Sequence, residues 1–134
     1  MRGNAMTADV HALAGVRYVV DDVPAAIEFY TAHLGFTVST AFPPAFADVV
    51  RGPLRLLLSG PASSGARVTP ADAAGCGRNR IHLIVDDVDA ERERLQRAGV
   101  TLRSDIVSGP GGRQFLVADP AGNLVEIFEP TARG

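Results

Sequence analysis

Cys76 is the only cysteine in 134 residues, so no internal disulfide can form. That excludes the small disulfide-stapled scaffolds and fits a reducing, cytoplasmic compartment. No apolar run approaches the roughly 18 residues of a membrane span. The opening stretch, MRGNAMTADVHALAG, lacks the apolar core of a signal peptide, and residues 1–14 read as a loose arm. No run of basic residues occurs and the net charge is −2, so the electrostatic footprint of a nucleic-acid partner is missing.

What is present is an ordinary globular composition, 46 % hydrophobic, in a chain long enough for one domain with its own core. The chain also says nearly the same thing twice. VVDDVPAA (Val19–Ala26) returns as IVDDVDAE (Ile84–Glu91), 65 residues later counted from Asp21 to Asp86. A period of that size is half a domain and not a solenoid repeat.

Each copy reads strand, helix, then strands. GVRYVV and RIHLIV are rich in β-branched or apolar residues, as strands are. The Asp pair that follows suits a helix N-terminus, and Pro24 suits a first turn. Val23, Ile27, Tyr30 and Leu34 recur at helical spacing, and Gly35 and Gly99 close the two helices. In the second helix Val88, Leu95 and Ala98 are expected inward, with residues 91–94 solvated. FTVST, AFADVV and LRLLLS complete the first module; TLRSDIV, RQFLVA and NLVEIFE complete the second, separated by the turn sequences SGPGG and DPAGN. The expectation is an α+β domain over 15–134. Module one spans 15–58, a Gly/Ala/Ser/Pro-rich linker 59–79, and module two 80–130. The linker is either a mobile connection or a flap over a site.

Three stretches, VVDDVPAAIEFYTAHLGF, IHLIVDDVDAERERLQRAGV and ADPAGNLVEIFEP, resemble the vicinal oxygen chelate superfamily, which includes glyoxalase I, extradiol dioxygenases and bleomycin-resistance proteins. The resemblance implies paired βαβββ modules whose strands curl around a cavity, often in a homodimer. It does not imply one chemistry. In enzymes of this family a metal ligand commonly stands on the first strand of each module, seven residues before the second Asp, and another on the last strand, four residues after the turn glycine. Those places fall on Gly15 and Arg80, and on Leu56 and Glu126. Gly and Leu carry no donor and Arg stays protonated, so only Glu126 keeps the pattern and neither a metal nor a cofactor is expected.

Strand alternation places Arg80 and His82 on one face, and Arg17 with Gly15 and Val19 on its counterpart. The same counting gives Leu54, Leu56 and Leu58 to a cavity wall, with Glu126 facing in. The candidate ligand-binding set is Arg17, Leu54, Leu56, Arg80, His82 and Glu126. Glu126 either meets a ligand or pairs with Arg80 or Arg17; His82 either titrates against a ligand or is a satisfied core histidine; Arg17 either forks onto an anion or bridges to a carboxylate. His33, His11 and Cys76 are weaker candidates, and Phe42 and Phe46 could line the mouth. Three functions follow: a metal-free protein binding a small, partly apolar molecule; an enzyme of lyase, isomerase or dioxygenase type with His82 and Glu126 as acid–base groups or ligands; or a structural protein with a collapsed cavity. A homodimer is expected, without nucleic acid or membrane.

Overall fold

The computed structural model describes residues 13–73 and 75–131, so His11 lies outside the described residues. The chain divides between Gly75 and Cys76 into two compact units, each an α+β unit built on a mixed sheet.

In unit one, β1 (Ala14–Val19), α1 (Val23–His33), β2 (Thr37–Phe42), β3 (Phe46–Arg51) and β4 (Leu54–Ser59) give the sheet order β1-β4-β3-β2. β1 runs parallel to β4, and the remaining pairs are antiparallel. The Asp22 carboxylate caps α1 by accepting the Ala25 amide at 3.0 Å, as a helix-start Asp should. Val23, Ala26, Phe29 and Tyr30 form its buried stripe, while Ile27 is only half-buried. Tyr30 meets Phe29 and Phe36 edge-on, with ring centroids 5.0 and 5.4 Å apart. α1 packs on β2, β3 and β4, and the core beneath it holds Leu56, Leu58, Ala47 and Val49, all fully buried.

Unit two repeats the plan with β5 (Arg80–Ile84), α3 (Val88–Arg97), β6 (Thr101–Leu102), β7 (Val107–Gly109), β8 (Gly112–Ala118) and β9 (Leu124–Pro130). Its order is β5-β9-β8-β6, with β7 also on β8. The stretch expected as one strand, TLRSDIV, is two: Ser104 turns its hydroxyl onto the ladder and accepts the Leu116 amide at 3.0 Å, interrupting the pairing. SGPGG forms the tight β7–β8 hairpin. The Asp87 carboxylate caps α3 through the Ala90 amide, 3.1 Å away. Val88 and Leu95 are buried, but Ala98, expected inward, is exposed because it is the C-cap. Arg113 on β8 forks onto Asp89 in the first turn of α3 at 2.7 and 3.1 Å. The hydrogen bond from Arg113 holds the Asp89 carboxyl below its ordinary 3.8, against a smaller opposing effect of burial, with the attraction of the two charges adding to it.

The linker is not featureless. Ser63 caps a single helical turn, α2 (Ser64–Arg67), by accepting the Ala66 amide at 3.1 Å, and a 3₁₀ turn follows at Ala71–Ala73. α2 packs on β1 and β4 of unit one.

Candidate functional site

The two sheets resolve which residues share a face. Cα partners on neighbouring strands point their side chains the same way, so register is a direct reading of faces. In unit two, Arg80 pairs with Leu124, His82 with Glu126 and Ile84 with Phe128. In unit one, Gly15 pairs with Arg55, Arg17 with Leu57 and Val19 with Ser59.

The second set corrects the sequence reading. Leu54, Leu56 and Leu58 pair with Ala14, Val16 and Tyr18, on the side of the sheet that packs under α1. They do not share a face with Arg17; Arg55, Leu57 and Ser59 do. The cause lies in the turns. Gly52 and Pro53 alone join β3 to β4, since Arg51 pairs with Leu54. Ala118 pairs with Leu124, which leaves Asp119–Asn123 as the turn before β9. That longer turn is tied by Asp119, whose Oδ1 accepts the amides of Ala121 (3.0 Å) and Asn123 (2.8 Å), and whose Oδ2 accepts from Asn123 Nδ2 (3.0 Å). Counting from the turn glycine therefore slips by one residue between modules, and a slip of one exchanges the faces. The counterpart of Glu126 is Leu57, not Leu56. The chemistry at that place is unchanged, because a leucine offers no donor in either case.

In unit two the predicted residues come together. Arg80 Nε donates to Glu126 Oε1 at 2.9 Å. His82 Nε2 lies 3.7 Å from Glu126 Oε2, and its ring lies 4.8 Å from that of Phe128. The glutamate is buried, with 11 % of its side chain exposed, whereas Arg80 and His82 are open at 37 % and 46 %. Of the two arginines offered as partners for Glu126, Arg80 is the one paired with it. His82 is not a core histidine: it is exposed, on the same face.

These residues do not fit the metal that the first- and last-strand positions imply. One carboxylate oxygen is occupied by a guanidinium, and two unit charges of like sign 4 Å apart near a protein surface repel by about 4 kcal/mol, twice that for a divalent ion. Among the described residues no three His, Cys, Asp or Glu side chains converge. Catalytic zinc sites ordinarily use three protein ligands.

In unit one, Arg17 Nη1 donates to the hydroxyl of buried Ser59 at 2.7 Å. The guanidinium lies against α2: a Cβ on Gly65 would overlap Nη1 and stand 2.7 Å from Cζ, so glycine is what lets the turn seat there. Arg17 remains exposed, and no carboxylate oxygen among the described residues lies within 4.0 Å of it. Across the sheet from it, beyond Leu57, stands Asp48, which the sequence reading missed. Asp48 is 1 % exposed and accepts from Arg55 Nε through Oδ2. Of the weaker candidates, Phe46 is half-buried on this same face, Phe42 on the sheet edge is 67 % exposed, and His33 lies against Phe29 with centroids 5.8 Å apart. Cys76 is exposed, its sulfur 3.8 Å from the Ala121 carbonyl oxygen.

Two units of strand, helix and three or more strands, each with an apolar side under a helix and a mixed polar side opposite, define the paired βαβββ class. The chain belongs to the Glyoxalase/Bleomycin resistance protein/Dioxygenase superfamily, whose family model matches residues 10–127. An uncharacterised protein of Mycobacterium tuberculosis is 28 % identical over 138 residues, covering 96 % of this chain and 81 % of the relative. Among solved structures, the bleomycin-binding protein of Streptomyces verticillus, complexed with copper(II)-bleomycin, is 29 % identical with a TM-score of 0.63, covering 89 % of this chain and 96 % of that one. TnmS3, an antibiotic binding protein from Streptomyces, is 26 % identical with a TM-score of 0.69, covering 89 % and 95 %. A lactoylglutathione lyase from Agrobacterium tumefaciens, 24 % identical with a TM-score of 0.69 and covering 88 % and 92 %, shares the fold. No helix among the described residues is long and apolar enough to cross a membrane.

Proposed function

We propose that this protein binds a small, partly apolar molecule carrying an anionic group, without a catalytic metal. The observation that carries the reading is Arg17. It is an exposed guanidinium fixed by Ser59 and Gly65, with no carboxylate of its own among the described residues. A pre-oriented, uncompensated guanidinium suits a carboxylate or phosphate. Leu57 beside it supplies apolar surface. Two similar structures, the bleomycin-binding protein and TnmS3, are named for binding antibiotics, which favours sequestration over turnover. The test is a titration with 2-naphthoate and with neutral 2-naphthamide. Arg17→Met should weaken naphthoate by roughly 1.5–3 kcal/mol, the worth of charge-assisted hydrogen bonds, and leave the amide unchanged. Equal affinities of wild type and R17M for naphthoate would sink the reading.

One observation favours a second reading, an enzyme: His82 Nε2 faces Glu126 Oε2 at 3.7 Å from an exposed position, as an acid–base pair would. The two readings separate on turnover that is lost in Glu126→Gln and His82→Ala, and on metal content where the pair acts as ligands. About one Zn, Mn, Fe, Ni or Co per chain after purification without chelators, lost together with activity in Glu126→Gln and His82→Ala, would promote the enzyme. The binding reading expects no stoichiometric metal.

The reading includes a homodimer in the cytoplasm. β2 is a sheet edge with Phe42 67 % and Val38 40 % exposed, and an edge of this kind invites cover. An exposed free thiol fits a reducing compartment. Light scattering that shows only monomer up to high concentration would remove the dimer.

A further inference from the structure

Glu126 holds Arg80 with one oxygen and leaves the other unused. Oε1 accepts from Arg80 Nε at 2.9 Å, and nothing among the described residues donates to Oε2. His82 Nε2 stands beside it at 3.7 Å, too far for a hydrogen bond. In residues that are not themselves exposed, only Asp48 Oδ1 and Arg92 Nε are both shut off from water and without a partner, among the described residues. Glu126 Oε2 is not one of them, so this oxygen of an otherwise buried glutamate opens to solvent. Arg80 is in the matching state. Its only side-chain partner among the described residues is Glu126, through Nε, so both terminal amino groups of the guanidinium keep their N–H donors free. The side chain is 37 % exposed.

The pair thus presents a donor and an acceptor next to one another, joined by the Nε–Oε1 contact. At the first-strand place where a metal ligand would stand, unit two carries a cation of its own, already neutralised. Charge decides what suits it. The guanidinium and the carboxylate cancel, unlike Arg17, which has no carboxylate among the described residues. An anion drawn to Arg80 would meet the lone pairs of Oε2, and a cation drawn to Oε2 would meet the guanidinium. A neutral group with an acceptor beside a donor satisfies both. We propose that Arg80 and Glu126 form a site for the edge of a carboxamide or lactam, whose C=O accepts from a terminal nitrogen of Arg80 and whose N–H donates to Glu126 Oε2. The surface around the pair takes an apolar body. The His82 ring lies 4.8 Å from that of Phe128, and Ile84, paired with Phe128, is 56 % exposed. Leu116, across from Glu126 on β8, is half-buried on the same face. The site lies wholly on unit two and goes beyond the anion contact of Arg17, on which it does not depend.

The matched probes are 2-naphthamide and methyl 2-naphthoate, both neutral, which share the rings and the carbonyl and differ in the donor. The chain has no tryptophan, so naphthalene fluorescence reads the ligand cleanly. Wild type should bind the amide about tenfold tighter than the ester. Arg80→Met should weaken both, because both lose the carbonyl contact. In Glu126→Gln, Arg80 still requires an oxygen, which turns the amide nitrogen of the glutamine to the Oε2 position and replaces an acceptor by a donor. Naphthamide should then fall to the level of the ester, and the ester should hold its affinity. Arg17→Met should change neither. The ring signals of His82, one of three histidines, should shift in proton NMR as naphthamide is added. Equal affinities of wild type for amide and ester overturn the proposal. An amide preference that survives in E126Q, or that R17M abolishes, places the contact elsewhere and overturns it as well. So does failure of naphthamide to bind wild type up to millimolar concentration. The wild-type ratio and the His82 signals decide the matter even if R80M does not fold.

Discussion

Arg80 Nε donates to Glu126 Oε1 across 2.9 Å, from an open position on the edge strand β5 to a buried one on β9. The asymmetry sets the consequence of breaking the pair. An arginine released from it has water to turn to, while a buried glutamate released from it does not. Arg80→Ala should therefore destabilise by about 1–3 kcal/mol, the cost of a stranded buried acceptor, and Glu126→Gln by less. Urea denaturation midpoints at constant slope measure this. A smaller loss for R80A than for E126Q would mean that His82 or water replaces the guanidinium.

The Asp89–Arg113 fork predicts a pH dependence. The Asp89 carboxyl is held below 3.8 by the hydrogen bond from Arg113. A group whose folded pKa is lowered binds fewer protons in the folded state, so its stabilisation is present above its unfolded value and is lost as pH falls through the folded one. Both groups are exposed at the surface, and the increment is a small one. Asp89→Asn should be less stable than wild type near neutral pH, and the two midpoints should converge at strongly acidic pH, below the folded pKa. A difference that persists unchanged there would assign the effect to something other than the ionised carboxylate, because protonation removes its ion pair and its attraction to the helix N-terminus alike.

Gly65 gives a test of how Arg17 is held. A methyl group there would overlap Nη1 and Cζ, so Gly65→Ala must displace either the guanidinium or the α2 turn. The expected result is weaker 2-naphthoate binding, in the direction of R17M. Because both changes act on one side chain, the double variant should lose little beyond R17M alone. Additive losses in that cycle would show that α2 acts on the probe independently of Arg17.

Much of this was legible in the sequence, for reasons that are local. The Asp pairs mark helix starts because a carboxylate accepts a free helix amide, and Asp22 and Asp87 do so. DPAGN marks a turn because Asp119 can accept two of its amides at once. The Arg80, His82 and Glu126 grouping follows from alternation on two parallel neighbours, where one register fixes every face. What failed was carrying a count through a turn. Gly52 and Gly122 look equivalent, but the turn at Asp119–Asn123 is longer than Gly52–Pro53, and length in a turn is not visible as a face change in the strand that follows. Asp48 was missed for a related reason. Its significance depends on which strands flank it and on Arg55 reaching across, and neither is a property of AFADVV read by itself.

The register in unit one makes the sharpest prediction, since two adjacent leucines should behave oppositely. Leu56 is fully buried, pairs with Val16, and points to the α1 side with Leu58. Leu57 is half-buried, pairs with Arg17 and Asp48, and points to the opposite side. Truncating a fully buried leucine costs lost burial plus a cavity that α1 and the sheet cannot close, so Leu56→Ala should destabilise by about 2–5 kcal/mol. Its effect on 2-naphthoate affinity, measured well below the unfolding temperature, should be negligible. Leu57→Ala removes apolar surface between Arg17 and Asp48 and leaves no sealed cavity. It should cost about 1 kcal/mol or less in stability, because a half-exposed side chain has less burial to lose, and should weaken naphthoate several-fold. Had Leu56 faced Arg17, as counting from the turn glycine implies, the two results would exchange places. A L56A protein that keeps its denaturation midpoint but loses the probe would overturn the register and return the apolar wall to Leu54, Leu56 and Leu58.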